Sequence, residues 1–106
     1  MARVMKEVAV ERVAITAEGL LLITPALAAS DDYAHIYRSA SGVSWLSVER
    51  CLSCPKPLEW SYADWYSHAV SAVEGEYRQH LSVSDATEWE NIPNDVRAEI
   101  EARAGR

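Results

Sequence analysis

The chain has 106 residues, of which 49% are hydrophobic and 25% are charged, so we expect one globular domain over residues 1–106 and no extensive disorder. Ten Lys and Arg against sixteen Asp and Glu give a formal net charge of −6, which argues against binding nucleic acid through its phosphates. No stretch approaches the roughly 20 apolar residues of a membrane helix, and the acidic residues before Leu20–Ile23 are unlike a secretory signal. We therefore expect a cytoplasmic protein that binds neither nucleic acid nor membranes.

The first part of the chain has the pattern of two strands. Alternating β-branched and small residues predict a strand over Val8–Ala17. The alternation changes parity at Glu11-Arg12, which indicates a bulge or a bend. Glu18-Gly19 predicts a hairpin turn. Leu20–Ile23 predicts a second strand that is apolar on both faces, and Pro25 is expected to end it.

Two further strands are predicted before the middle of the chain. Tyr33–Arg38 alternates aromatic and aliphatic residues, Ser39–Gly42 has the composition of a turn, and Val43–Val48 again alternates. These segments together predict an antiparallel meander of three to four strands. The proline-containing stretch Cys51–Glu59 is then expected to be a linker.

The strongest helical pattern follows this stretch. Ser61 and Asp64 have the spacing of a capping box, in which hydroxyl and carboxylate bind the first exposed amides of a helix. Apolar residues then recur every three or four positions over Tyr62–Leu81, which predicts one long amphipathic helix with its aromatic stripe against the sheet.

The C-terminal part has a weaker pattern. Asp85 and Glu88 can cap a short turn that carries Trp89, and Pro93 suits the first turn of a last helix. Glu99 is spaced for an i,i+4 ion pair with Arg103. The expected fold class is therefore α+β: an N-terminal antiparallel meander packed against one long amphipathic helix and a short C-terminal helix.

The motif Cys51-Leu52-Ser53-Cys54 raises the question of a redox or zinc site. A redox CxxC needs its first cysteine at a helix N-terminus, and a zinc site needs two more ligands. His68 and His80 lie on the same predicted helix, ~18 Å apart, and cannot bind one ion. We expect His80 at the edge of the core and His68 in solvent beside a carboxylate. An isolated zinc or redox role is the alternative, but we assign no metal, no cofactor and no catalytic residue.

The aromatic residues are the most informative feature for function. Four Trp and five Tyr stand against no Phe, so every benzenoid ring carries a polar N–H or O–H group, as is common in pockets and interfaces. The alternative is a core whose rings keep their polar tips at its edge. As residues that bind a ligand or form an interface we single out the following: Tyr33, Tyr37, Trp45, Trp60 and Trp89.

Several short segments carry a resemblance to a known family. They are Tyr33…Ile36-Tyr37-Arg38, Gly42-Val43-Ser44-Trp45, Pro57-Leu58-Glu59-Trp60-Ser61…Trp65…His68 and Thr87-Glu88-Trp89…Ile92-Pro93. With them the chain, from about Arg12 to Glu101, resembles the small uncharacterised proteins encoded by mobile integron gene cassettes. The resemblance implies an unusual small fold, a homo-oligomer and a pocket of small-molecule size. It brings no established activity and no catalytic residues.

The sheet gives a second reason to expect a homodimer or a higher homo-oligomer. A single covering helix leaves one face open, and Leu21, Ile23 or Tyr37 on that face would form an apolar patch that monomers rarely tolerate. The alternative is that the segment with Trp89 and Ile92 folds back over this face.

We therefore expect a non-catalytic protein that binds a small molecule or has an accessory role, and that acts as a homo-oligomer. The first alternative is an acidic inhibitor of another protein, of the anti-restriction or antitoxin-like kind. Such a DNA mimic would gather its carboxylates on one face. The second is a small enzyme, which would hold a carboxylate or a histidine with a perturbed pKa in a pocket.

Overall fold

A bulged N-terminal strand organises the sheet. In the computed structural model, which describes residues 6–27, 32–56 and 59–104, strand β1 (Lys6–Ile15) pairs antiparallel with β2 (Leu21–Pro25). The turn between them contains Gly19 at φ 92°, a conformation that glycine adopts without a steric penalty. The pairing register shifts between Val10 and Arg12, so the bulge predicted from the change of alternation is confirmed.

Two short strands complete the antiparallel part of the sheet. Strands β3 (Ser44–Leu46) and β4 (Cys51–Cys54) form a hairpin, and β4 also pairs with β2. The spatial order β3-β4-β2-β1 differs from a simple meander because β4 is inserted beside β2. The prediction of a linker from Cys51 was wrong, since the backbone of Cys51–Cys54 is satisfied by strands on both sides.

The segment predicted as the third strand is a helix turn. Ile36–Arg38 forms a short 3-10 helix, and Ser39–Gly42 makes the expected turn after it. The buried side chains of this region are Tyr33 and Ile36, while Ala34 and His35 between them are exposed. A spacing of three residues is the period of a 3-10 helix, and the alternation of aromatic and aliphatic residues concealed it.

The long helix α1 begins as predicted and ends earlier. It spans Tyr62–Tyr77, and the hydroxyl of Ser61 and the carboxylate of Asp64 form the expected capping box. Arg78 then adopts φ 58°, a left-handed conformation typical of helix ends. Strand β5 (Gln79–Ser82) follows and pairs parallel with β1, so the predicted extension of the helix to Leu81 was wrong.

The C-terminal part adds one strand and one helix. Strand β6 (Glu88–Glu90) pairs parallel with β1 beyond the bulge, so Trp89 lies in a strand rather than in a short turn. Helix α2 spans Asn94–Ala104 and buries Ile100. The predicted pair is present, with Glu99 Oε2 3.8 Å from Arg103 Nη2. The fold class is α+β, as predicted, with a mixed six-stranded sheet.

The core lies between the sheet and α1 and includes Leu21 and Ile23, which are fully buried within the chain. These two residues therefore do not lie on the open apolar face that was expected for the sheet. Leu22, on the other face of β2, is only half-buried. Trp89 and Ile92 pack against the main core. Within the described ranges, neither helix has the length and apolar content that crossing a bilayer requires.

Candidate functional site

The five aromatic residues singled out from the sequence lie in separate places. Tyr33 and Trp45 contact each other, with ring centroids 5.3 Å apart. The ring of Tyr37 lies beside that of His35, Trp60 stands at the start of α1, and Trp89 lies in β6. The structure thus joins two of the five in one contact.

The Tyr33 contact belongs to the core. Tyr33 is 0% exposed, and its hydroxyl donates to Gln79 Oε1 over 2.7 Å. Its ring also packs on Tyr77 at a centroid distance of 5.0 Å. Trp45, beside it, is half-buried and has the guanidinium of Arg50 5.9 Å from its ring centroid. These contacts show how a polar ring is accommodated in the core.

Tyr37 and Trp89 have different surroundings. Tyr37 is 59% exposed on the short 3-10 helix. Trp89 is half-buried beneath the guanidinium of Arg97, which lies 5.1 Å from its ring centroid. The indole N–H of Trp89 is buried and has no hydrogen-bond partner among the described residues.

Trp60 belongs to a cluster of three rings, which we call the aromatic cluster: Trp60, Trp65 and His68. The Trp60 centroid lies 4.7 Å from that of Trp65 and 5.1 Å from that of His68. Trp65 and His68 are three residues apart on α1 and therefore share one face of the helix, with their centroids 5.6 Å apart. Trp60 precedes the N-cap residue, so the capping box positions it against this face.

The aromatic cluster forms one wall of a cleft of about 480 Å³. Pro55 and Lys56, which follow β4, and Ser41 from the preceding turn also line it, as does Glu59. This volume lies in the range of roughly 300–1,000 Å³ that is typical of small-molecule sites. We call this space the aromatic cleft.

Gly42 makes room for the rings of the aromatic cleft. It adopts φ 89°, and a Cβ atom at this position would lie 2.9 Å from Cη2 of Trp65. Real Cβ atoms do not approach a ring this closely, because the contact is well inside van der Waals distance. Glycine is therefore required here both by the backbone and by the indole that packs on it.

A second space, the polar hollow, adjoins the aromatic cleft. It has a volume of about 470 Å³, shares Trp60 and His68 with the cleft, and is otherwise lined by polar side chains from both helices. These side chains are Asp64, Ser67, Ser71 and Arg103.

An ion pair between the helices fixes one side of the polar hollow. Arg103 Nη1 donates to Asp64 Oδ1 over 2.7 Å, and the backbone N–H of Ser61 donates to Asp64 Oδ2 over 3.0 Å. The pKa of Asp64 is held below its usual value, mainly by the hydrogen bond from the Ser61 N–H and next by the one from Arg103. Asp64 is therefore an ionised acceptor with both oxygens engaged.

The cysteines of the CxxC motif are structural residues of β4. They are three positions apart in a strand and so point to opposite faces of the sheet, and both thiols are free and buried. Burial raises the pKa of Cys54 to about 12 and, with a smaller effect of Glu49, raises that of Cys51. Residues 6–27, 32–56 and 59–104 contain no group of three or more His, Cys, Asp or Glu side chains arranged to hold a metal ion.

The two helical histidines of the prediction are separated by the end of α1. His80 lies in β5, half-buried, and its Nδ1 contacts the carboxylate of Glu74. His68 stays on α1, but it packs against two indoles, whereas the prediction placed it in solvent beside a carboxylate.

The short spacing of Trp60, Trp65 and His68 was the available signal for the aromatic cluster in the sequence. No local pattern connects Arg103 with Asp64, 39 positions away.

Comparisons with known proteins agree with the resemblance seen in the sequence. Residues 9–87 match the family model Hfx_Cass5, described as Integron Cassette Protein Hfx_Cass5. A solved structure described as an integron cassette protein, Hfx_Cass5, from the mobile metagenome of North West Arm Sewage Outfall is 35% identical, with a TM-score of 0.45. That alignment covers 96% of this chain and 99% of the other. No curated protein matches the chain.

Proposed function

The chain belongs to the Hfx_Cass5 family of integron cassette proteins, and we propose that it binds a small planar molecule in the aromatic cleft without transforming it. The observation that carries this proposal is Trp60. Trp60 is 44% exposed, although its ring is held against Trp65 and His68 in the lining of a cleft of ligand size. A flat apolar ligand would cover this ring and remove its surface from water.

The cleft is suited to binding because its rings already support one another. Trp65 and His68 are on a capped helix, and Trp65 is further held against Gly42. A ligand would therefore meet side chains whose conformational freedom is already restricted, which lowers the entropic cost of binding. Stacking on the exposed indole supplies the favourable contact.

The test uses an uncharged planar probe, 2-naphthylacetamide. We expect saturable binding that shifts the indole N–H resonances of Trp60 and Trp65 in a two-dimensional NMR spectrum more than those of Trp45 and Trp89. Trp60→Ala should weaken binding by about fivefold to tenfold, since stacking on an aromatic ring is worth about 1–1.5 kcal/mol and 1.4 kcal/mol corresponds to a factor of ten. Tyr37→Ala is the matched control, because it removes another exposed ring outside the cleft.

Two results would contradict the proposal. Absence of any saturable shift up to the solubility limit of the probe would exclude a site for planar molecules. Loss of binding in Tyr37→Ala together with unchanged binding in Trp60→Ala would move the site away from the cleft.

The homo-oligomer expected from the sequence remains part of this proposal. Leu21 and Ile23 no longer support it, since they are buried within the chain. The support that remains is the exposure of Tyr37 and of Val48, the latter in the turn between β3 and β4. Sedimentation velocity at micromolar concentration tests it, with a dimer mass expected for the wild type and a monomer mass for Tyr37→Glu. A wild-type monomer would reject it.

A further inference from the structure

The aromatic cleft and the polar hollow form one continuous surface. Trp60 and His68 line both spaces, so a ligand lying on the Trp60 ring can extend across His68 without leaving the protein surface. Beyond His68 the surroundings change from indoles to hydroxyl, carboxylate and guanidinium groups. A molecule that fills both spaces therefore needs an apolar planar part and a polar end.

The polar hollow presents hydrogen-bond donors. Ser67 and Ser71 are four residues apart on α1 and share one face, and each hydroxyl can donate one hydrogen bond. Arg103 has five N–H groups. One of its nitrogens, Nη1, binds Asp64 Oδ1, whereas Nη2 stays 3.8 Å from Glu99 Oε2, beyond ordinary hydrogen-bond distance. Arg103 therefore retains donors for a further acceptor.

Asp64, the carboxylate of the polar hollow, takes one donor of Arg103 and leaves the others. Asp64 already accepts from Ser61 and from Arg103 with its two oxygens. It neutralises the charge of Arg103 formally and orients the guanidinium towards α1. The donors that remain on Arg103 and on the two serines can serve a further acceptor, and a carboxylate matches a planar guanidinium in two parallel hydrogen bonds.

We infer that the ligand of this protein is a planar aromatic carboxylate, with its ring on Trp60 and its carboxylate bound by Arg103 and the hydroxyls of Ser67 and Ser71. This inference rests on the proposed function of the aromatic cleft. An aromatic amine is the competing chemistry, since Glu59 lines the cleft and indole faces attract cations. The amine would gain nothing from the donors of the polar hollow.

Three matched probes test the inference, and they differ only in the polar end: 2-naphthylacetate, 2-naphthylacetamide and 2-(2-naphthyl)ethylamine. Isothermal titration of the wild type should give a dissociation constant for the carboxylate about tenfold lower than for the amide, and the amine should bind no better than the amide. In Arg103→Met the preference for the carboxylate should disappear, while the amide still binds.

Arg97→Met is the control for a purely structural effect. Arg97 is also on α2 and also forms an i,i+4 ion pair, with Glu101 at 3.2 Å, but it lies over Trp89 rather than in the hollow. We expect it to retain the preference for the carboxylate. A structural effect of Arg103→Met would weaken the carboxylate and the amide by the same factor.

The possible failures can be told apart. If none of the probes binds the wild type, the proposed function fails and the inference fails with it. If the carboxylate and the amide bind equally, or the amine binds most tightly, the cleft is a ligand site and the inference about the carboxylate is overturned. Retention of the preference in Arg103→Met would also overturn it.

Discussion

The hydroxyl of Thr87 donates to the carbonyl of Val10 over 2.7 Å, joining two residues 77 positions apart. Val10 is where the register of β1 shifts, and a bulge leaves backbone groups without their ladder partners. On one side of the bulge β1 pairs with β5, and on the other it pairs with β6. Thr87 thus replaces a backbone donor in the gap between two parallel strands.

Thr87→Val should therefore destabilise the protein, although the valine side chain has nearly the same shape as threonine. Thr87 is 6% exposed, and the substitution leaves the Val10 carbonyl buried without this donor. We expect the free energy of unfolding to fall by about 1–3 kcal/mol. Urea denaturation measures it, with Thr87→Ser as a control that keeps the hydroxyl. A valine variant as stable as the wild type would show that the bond contributes nothing.

Two tyrosines should respond oppositely to the same substitution. Tyr66 is 1% exposed, and its hydroxyl has no partner among the described residues. Burial raises the pKa of Tyr66 well above its usual value. Tyr66→Phe removes a buried unsatisfied group and should raise the free energy of unfolding by up to about 1 kcal/mol. Tyr33→Phe removes the bond to Gln79 and should lower it by about 1 kcal/mol. Equal shifts in thermal or urea unfolding would contradict this difference.

Substitution by alanine should have opposite effects on stability at Gly42 and at Gly75. Gly42→Ala places a Cβ against Trp65 at a positive φ, so we expect a loss of about 2 kcal/mol or more and a displaced Trp65 ring. Gly75 is in α1 and has open space around it, so Gly75→Ala should stabilise the protein by about 0.5–1 kcal/mol. Denaturation curves measure both, and Trp65 NMR shifts report the ring. A neutral Gly42→Ala would refute the packing described for the cleft.

The capping box should make stability depend on acid pH. The pKa of Asp64 is lower in the folded chain than in the unfolded one. Its ionised form therefore stabilises the fold above the unfolded pKa of about 4, and the effect is lost as the pH falls through the lower folded value. The stability difference between the wild type and Asp64→Asn should be largest near neutral pH and vanish in acid. Asp85→Asn, at an exposed position, is the control. A difference that does not vary with pH would exclude this linkage.

The two cysteines should be protected from thiol reagents by the fold. Because burial raises their pKa values, both are neutral thiols at about pH 8, and the thiolate is the reactive form. Ellman's reagent should label the native protein slowly and both thiols at once in denaturant. Rapid labelling of the native protein would place a thiol in reach of solvent.

The same two cysteines also allow a test of the assignment of no metal. Stoichiometric zinc that is lost in a double Cys→Ser variant would refute this assignment.

The sequence predicted those elements whose signal is local. The change of parity in β1, the hairpin at Gly19 and the capping box of α1 each depend on residues within a few positions of one another, and all three are confirmed. The 3-10 helix was missed because the alternation of aromatic and aliphatic residues over Tyr33–Arg38 is typical of a strand, and a helix of three residues is too short to show a helical period. β4 was missed because prolines directly after it dominated the composition.

Features that depend on distant pairing could not be predicted. Leu81 continues the helical stripe by spacing, but Arg78 adopts a left-handed conformation and the chain enters β5 instead. That outcome is decided by pairing with β1, far away in sequence. In the candidate site, too, some residues could be found from a local pattern and others only from the packing of distant segments. The sequence pointed to Trp60, whereas the spacing of Trp65 places it on the helix stripe that was predicted to face the sheet. Arg103 reaches the site only through the packing of α2 on α1.

The pairing of β1 on both edges has a consequence for synthesis. While the chain emerges from the ribosome, β1 first forms only its hairpin with β2, because Gln79, the partner of Lys6, is synthesised after β2, β3, β4 and α1. Until then one edge of the first strand is an unpaired row of donors and acceptors, which invites pairing with other chains. Folding therefore waits for a non-local, parallel contact, and such contacts form slowly. Among the described strands, β1 is in this way completed only after β2, β3 and β4.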